Sequence, residues 1–310
     1  MLSVSIIIPT KNRYDALMAA LDSIARQTVL PRQIIVVDQT PANWSEAPVS
    51  TCSLAHDIRF DYIHDPRVSG SATARNLAID KADGDVLLFL DDDVTLHPDF
   101  IEQLLTSYDQ HPEATGISGM PDNYVRPGKF FYHWTRFFTR GPFWNDRFPV
   151  YWNFNTLSHL VRVSQMSGGM MSLKRSCLNG TRFDPNLRGV CDGEDVDFCV
   201  RLKGTYFIDP HCRLTHHSNP TGRETDHWTR RHARAYTYLY FRNWGSHKRA
   251  YAWLWLGWLL AAILGCASHI SLHPLRAFFQ GRREGKAAAR PRSNISSQFP
   301  SQPRVAPRNP

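Results

Sequence analysis

The first ninety residues alternate between short apolar runs and amphipathic stretches. Val4–Ile8 is a β-branched run closed by Pro9, the pattern of a buried strand. Over Asp15–Gln27 the apolar residues Leu17, Leu21 and Ile24 recur at helical spacing. Gln33–Val37 predicts a second strand ending at Asp38, and Phe60–Ile63 a third, weaker one, with a polar loop over residues 41–57 before it. Ser71–Lys81 reads as a helix and Asp85–Leu90 as a fourth strand. Strands that alternate with helices predict a parallel sheet in a Rossmann-like α/β layer structure, with ligands at the carboxyl ends of the strands.

Farther along, the periodicity weakens. Residues 124–160 are crowded with aromatics and arginine and give no clean period, which fits a core-covering insertion or an acceptor-binding wall. Gly168–Leu173 reads as a tight turn leading into a strand, and Cys191–Lys203 as a helix with an acidic start. Ala250–Ile270 is apolar over a length that can span a bilayer, with Trp and Tyr in its first half. Gly281–Pro310 is rich in Arg, Pro, Ser and Ala and is expected to be disordered.

Charge divides the chain unevenly. Residues 274–310 carry eight Lys/Arg against Glu284, a net of +7, and residues 211–273 carry a net of +6. The first 210 residues are therefore acidic, at −5 of the overall +8. A basic C-terminal third on an acidic body predicts an anionic surface as partner. The six cysteines form no CxxC pair and point to a reducing compartment. The N-terminus has no signal-peptide pattern, so the catalytic part is expected in the cytoplasm.

Candidate chemistry concentrates where Val86–Leu90 runs into Asp91, Asp92 and Asp93. Carboxylates clustered at a strand end suit a hard divalent cation that bridges to substrate phosphates; an Asp-rich turn before a helix gives the same letters. Asp38 lies at another strand end of the same sheet edge, which favours the cation.

Five stretches now resemble one family: Ser5 through Arg13, Val36-Val37-Asp38, Ala74-Arg75-Asn76, Gly84 through Asp93, and Gly193 through Asp197. Over about residues 3–220 the chain resembles the inverting family 2 glycosyltransferases of GT-A fold, a Rossmann-like mixed sheet flanked by helices. The resemblance implies that Pro9 and Thr10 close the first strand against the nucleotide. Asp38 would accept a hydrogen bond from the donor base, and Arg75 would lie near the donor's phosphates. Asp91, Asp92 and Asp93 would form the Asp-x-Asp site for Mn²⁺ or Mg²⁺, with Asp91 and Asp93 as ligands. His216 would complete the metal shell, with His217 adjacent as the alternative. Asp195 would be the general base, with Glu194 orienting it or the acceptor. The chain lacks the Gln-x-x-Arg-Trp motif of processive members, so a single sugar transfer per encounter is expected.

The expected organisation is a catalytic domain over 1–220, a basic aromatic helical extension over 221–249, a hydrophobic membrane-associated helix over 250–273 and a basic disordered tail over 274–310. The expected partners are a nucleotide-sugar donor, a saccharide or lipid-linked acceptor and an anionic membrane surface, not nucleic acid. The apolar helix would re-enter or lie in the interface at the cytoplasmic face of the inner membrane, because a spanning helix would export the +7 tail. Packing on the catalytic domain or forming a homodimer are its alternatives. Two other functions compete. A sugar nucleotidyltransferase would need a Gly-rich loop after the first strand, where Pro9–Arg13 has no glycine. A non-catalytic membrane scaffold of the same fold would not need Asp93 and Asp195.

Overall fold

The computed structural model describes residues 2–41, 57–124, 128–139, 157–187, 193–217, 228–245, 247–269 and 272–289. Four strands, β1 (Val4–Thr10), β2 (Gln33–Asp38), β3 (Arg59–His64) and β4 (Val86–Leu90), pair in parallel in the order β3-β2-β1-β4. Helices α1 (Tyr14–Ala25) and α2 (Ser71–Ile79) fall where the apolar spacing predicts them. Successive strand residues point to opposite faces. Ile6 and Ile8 therefore pack with Leu17, Leu21 and Ile24 of α1, and Ile7 packs with Ala74 and Ala78 of α2. Burial on both faces explains why these strands read as continuous apolar runs.

After β4 come β5 (Val94–Leu96), α3 (Phe100–Gln110), β6 (Gly116–Pro121), α4 (Lys129–Thr139), β7 (Val161–Val163), β8 (Met170–Lys174), α5 (Glu194–Leu202) and the long β9 (Tyr206–His216). The sheet is mixed, not wholly parallel as the alternation of elements suggests: β8 inserts antiparallel between β4 and β6, and β5 and β7 pair antiparallel with β9. Parallel neighbours need a crossover connection, but an intervening helix does not oblige one: α5 lies between β8 and β9, which run in opposite directions. The β4–β8 pairing has a direct consequence for function, because it brings the Gly168-Gly169 turn beside the end of β4.

The aromatic insertion is a helix over α4, and its residues 140–156 lie outside the described ones, as do most of the polar loop at 41–57 and the start of the acidic helix at 191–192. The C-terminal part holds α6 (Trp228–Leu239), a π-helical turn at Tyr240–Trp244, α7 (Lys248–His269) and α8 (His273–Ala288). Residues 274–288 of the tail expected to be disordered are helical, as part of α8. The physical reason is close approach of backbones. A Cβ placed on Gly281 would lie 2.1 Å from the Arg230 carbonyl oxygen, and one on Gly285 2.3 Å from that of Arg234. Arg230 also pairs with Glu284 at 2.9 Å across the same seam. Glycines that look like linker composition are contact points here. Gly285→Leu is accordingly expected to cost about 1–3 kcal/mol through overpacking and to lower the thermal midpoint by several degrees. Arg283→Ala, on the exposed side of α8, should leave the midpoint nearly unchanged.

Candidate active site

The carboxyl ends of β1, β2 and β4 meet at one edge of the sheet. Thr10 and Asp38 are register partners, and the hydroxyl of Thr10 donates to Asp92 at 2.7 Å. Asp38 is buried. It accepts from the Thr40 amide at 2.8 Å and from the Tyr62 hydroxyl at 2.5 Å. Burial and this carboxylate raise the pKa of the Tyr62 phenol.

The three aspartates point to different partners. Asp92 is buried against Thr10 and the Arg13 guanidinium, which lies 2.7 Å away. Burial pushes its pKa up to about 6 despite those two stabilising contacts. Asp93 is also buried, 3.1 Å from Nε2 of His216 and 3.5 Å from Arg13. Asp91 is partly exposed. One ligand atom from each of Asp91, Asp93 and His216 lies within 4.8 Å of the others. His217 turns away, its Nε2 being 2.9 Å from the Thr95 hydroxyl. Strand pairing sets this choice: His216 is the register partner of Val94, and Asn123 grips its backbone at both N–H (3.2 Å) and C=O (2.9 Å). Two carboxylates and an imidazole offer mostly hard oxygen, a donor set that fits Mn²⁺ or Mg²⁺.

A second acidic group stands at the start of α5. Glu194 is buried and accepts from the Ser71 hydroxyl at 3.0 Å. Asp195 is half-buried, and its two oxygens accept backbone N–H groups from Gly168 (2.9 Å) and Val196 (2.8 Å). The helix N-terminus favours both anions, but burial outweighs it. Glu194 is raised to about 7, by burial first and then by Asp195. Asp195 is also raised by burial, with the Gly168 amide opposing.

Arg75 joins the two groups. Its guanidinium, expected beside the donor's phosphates, is buried between carboxylates, 3.2 Å from Asp91 and 3.1 Å from Glu194. Phe183 lies under it, with the ring centroid 5.4 Å from Cζ. The Gly168-Gly169 turn makes room for this bridge. A Cβ on Gly169 would sit 2.3 Å from an Asp91 oxygen, and one on Gly168 would sit 2.9 Å from the Arg75 guanidinium. Arg13, Ser71, Asn123 and this glycine pair escape notice as site residues in the sequence. The glycine pair left a signal, two adjacent glycines ahead of a strand. Nothing local marks Ser71 or Asn123.

The model of the family described as Glycosyl transferase family 2 matches residues 5–174. Among curated relatives, the succinoglycan biosynthesis protein ExoM of Rhizobium meliloti is 28% identical over 226 residues, 70% of this chain and 67% of ExoM. The glucosyl-dolichyl phosphate glucuronosyltransferase of Haloferax volcanii is 26% identical over 134 residues, 42% of each chain. The chain spans between 37% and 42% of the length of that relative and two bacterial ones. Among solved structures, the mannosyltransferase PcManGT of Pyrobaculum calidifontis, in complex with GDP-Man and Mn²⁺, superposes with a TM-score of 0.57. That likeness covers 93% of this chain and 86% of PcManGT at 17% identity, and is one of fold.

Proposed function

The chain belongs to glycosyl transferase family 2, and from that premise we propose an inverting transfer of a sugar from a nucleotide-diphosphate sugar to a saccharide or lipid-linked saccharide. The product would enter a cell-envelope or exported polysaccharide at the cytoplasmic face of the inner membrane. The observation that carries this reading is the pair of acidic groups held apart and bridged by Arg75: Asp91 on one side, Glu194 on the other. One group has the ligands for a cation and the other has a carboxylate of raised pKa.

In this reading Asp91, Asp93 and His216 hold Mn²⁺ or Mg²⁺, which when bound neutralises the charge on the departing diphosphate. Asp195 takes the proton of the acceptor hydroxyl while that oxygen attacks the anomeric carbon. The bond to the diphosphate breaks on the opposite face, so the configuration inverts. Each Asp195 oxygen accepts a backbone N–H and keeps another lone pair for the proton. Glu194 holds Arg75, and through it the orientation of the group around Asp195. Pro9, Thr10 and Asp38 line the base end of the donor site, and Asp92 with Arg13 fixes the turn that presents Asp91 and Asp93. Residues 1–220 form the catalytic unit, and the helices after them bring it to a membrane-held acceptor. The similarity to a glucosyl-dolichyl phosphate glucuronosyltransferase of Haloferax supports a lipid-linked acceptor, and that to ExoM, a succinoglycan biosynthesis protein, supports a polysaccharide product.

Purified protein supplied with Mn²⁺ and a panel of nucleotide sugars tests the reading. Saturable binding and slow hydrolysis of at least one nucleotide-diphosphate sugar are expected. Consumption of a nucleoside triphosphate with a sugar 1-phosphate, and none of a nucleotide sugar, would transfer the site to the nucleotidyltransferase class.

A further inference from the structure

The apolar helix α7 does not stand alone. One side of it packs on α8: Phe278 lies against Ala262, and the ring centroids of Trp255 and Phe278 are 4.5 Å apart. The Arg282 guanidinium sits 4.7 Å from the centroid of the Trp255 ring. A second flank packs on α4, where the Trp253 indole N–H donates to the Phe137 carbonyl at 2.9 Å and Phe138 fills the space over Gly257. The remaining face holds Ala252, Leu256, Leu260 and Ile263, at helical spacing. Only 17% of the most apolar stretch of α7 is buried. On α4, packed against that second flank, Phe130 and Phe137 are also exposed, at 73% and 53%.

The helices that carry this face are basic. The sequences of α4, α7 and α8 contain eight Lys/Arg and a single acid, Glu284, which is already paired with Arg230. Lys129 and Arg136 are exposed on α4, and Lys248 and Arg249 open α7. An exposed apolar face on a group of basic helices complements an anionic lipid surface. A crossing is disfavoured by the same packing. If α7 spanned the bilayer, α8 would follow it into hydrocarbon with Arg276, Arg282, Arg283 and Lys286.

We propose that α4 and α7 together form a monotopic docking face for an anionic bilayer, with α7 lying along the membrane surface and α8 above it on the same side. This rests on the proposed membrane-held acceptor, and it gives the aromatic insertion a role as half of the docking face. The face also connects to the chemistry. The Tyr251 ring of α7 stacks on Tyr240 with centroids 3.7 Å apart, and Tyr240 shares a cluster with Val196 and Val200 of α5, the helix that begins at Glu194.

The test is co-sedimentation with vesicles of phosphatidylcholine alone and of phosphatidylcholine with 30% phosphatidylglycerol. The full chain should bind the anionic vesicles at least about tenfold better, as the loss of favourable contacts for a few cations implies. The double variant Phe130→Glu/Ile263→Glu should lose that binding at least tenfold while hydrolysing donor at the unaltered rate, which reports both fold and catalytic site. Unchanged vesicle binding in the double variant would overturn the proposal. So would a soluble dimer that the same two substitutions dissociate, because the face would then belong to a second copy. A C-terminal tag on the chain in cells should be cleaved from the cytoplasmic side only; cleavage from the periplasmic side only would establish a spanning α7. Loss of donor hydrolysis in the unaltered protein, with vesicle binding intact, would instead refute the glycosyltransferase reading.

Discussion

Asp195→Asn is expected to lower turnover by about 10²- to 10⁴-fold, the range that a positioned general base contributes. Donor affinity should change little, because Asp195 sits with α5 and the Gly168 turn and not with Asp91, Asp93 and His216. The substitution has a structural cost that must be separated from the chemical one. Both oxygens of Asp195 accept backbone N–H groups, so an amide presents one NH₂ to a donor. Loss of that bond is expected to cost about 1 kcal/mol. A thermal melt and a donor titration on the same preparation distinguish this loss from a failure to fold. Wild-type turnover in the variant would remove Asp195 from the mechanism.

The pH profile of kcat/KM gives an independent reading of the same pair. Burial raises Glu194 to about 7 and raises Asp195 above the ordinary carboxylate range, and two carboxylates this close titrate together. A base works when deprotonated. Activity should therefore rise with pH along a limb that lies above the range of a solvated Asp. Glu194 is the member raised to about 7, in part by the Asp195 charge. Glu194→Gln should therefore remove any component of the limb near 7 and leave the component above the range of a solvated Asp, which belongs to Asp195.

The parts of this site that the sequence reveals are those in which residue type alone carries the chemistry. Asp91, Asp93, Asp195 and Glu194 are acids at the ends of elements with clear periodicity, and α/β alternation puts such ends on one edge. Arg75 shows the limit. Its place in the Ala74-Arg75-Asn76 motif is plain, yet its role as a buried bridge depends on β8 running antiparallel and delivering Gly168-Gly169 beside it. That is a tertiary fact with no local signature. The same holds for α8, whose glycines and arginines look like linker until α6 is laid against them. In α4 the difficulty is one of length. Phe130, Trp134, Phe137 and Phe138 share one side of the helix and Lys129, His133 and Arg136 recur on the other, but this period is short and is lost within the longer aromatic stretch over 124–160. The apolar side meets α7 and, in the proposal, lipid.

Asp93→Asn should weaken Mn²⁺ binding by more than the ten- to hundredfold seen when residues that merely support a ligand are changed. It should lower kcat/KM for transfer by at least about 10²-fold. Asp93 is the deepest of the three proposed ligands and is bracketed by His216 and Arg13. Removing its charge leaves Arg13 closer in effect to the cation site, with less negative potential to offset it, so the loss in Mn²⁺ affinity should exceed that of Asp91→Asn. The two histidines make the sharper comparison. His216→Ala should weaken Mn²⁺ binding, whereas His217→Ala should not, because the His217 ring is engaged with Thr95 on the other side of the strand. Isothermal titration with Mn²⁺ and a nucleoside diphosphate separates these outcomes. Equal losses from both histidines would mean that the end of β9 is sensitive as a structural unit, and the ligand assignment would fall to Asp91 and Asp93 alone. Chelation should mimic Asp93→Asn in turnover but be reversed by added Mn²⁺, since the carboxylates that hold the ion remain in place.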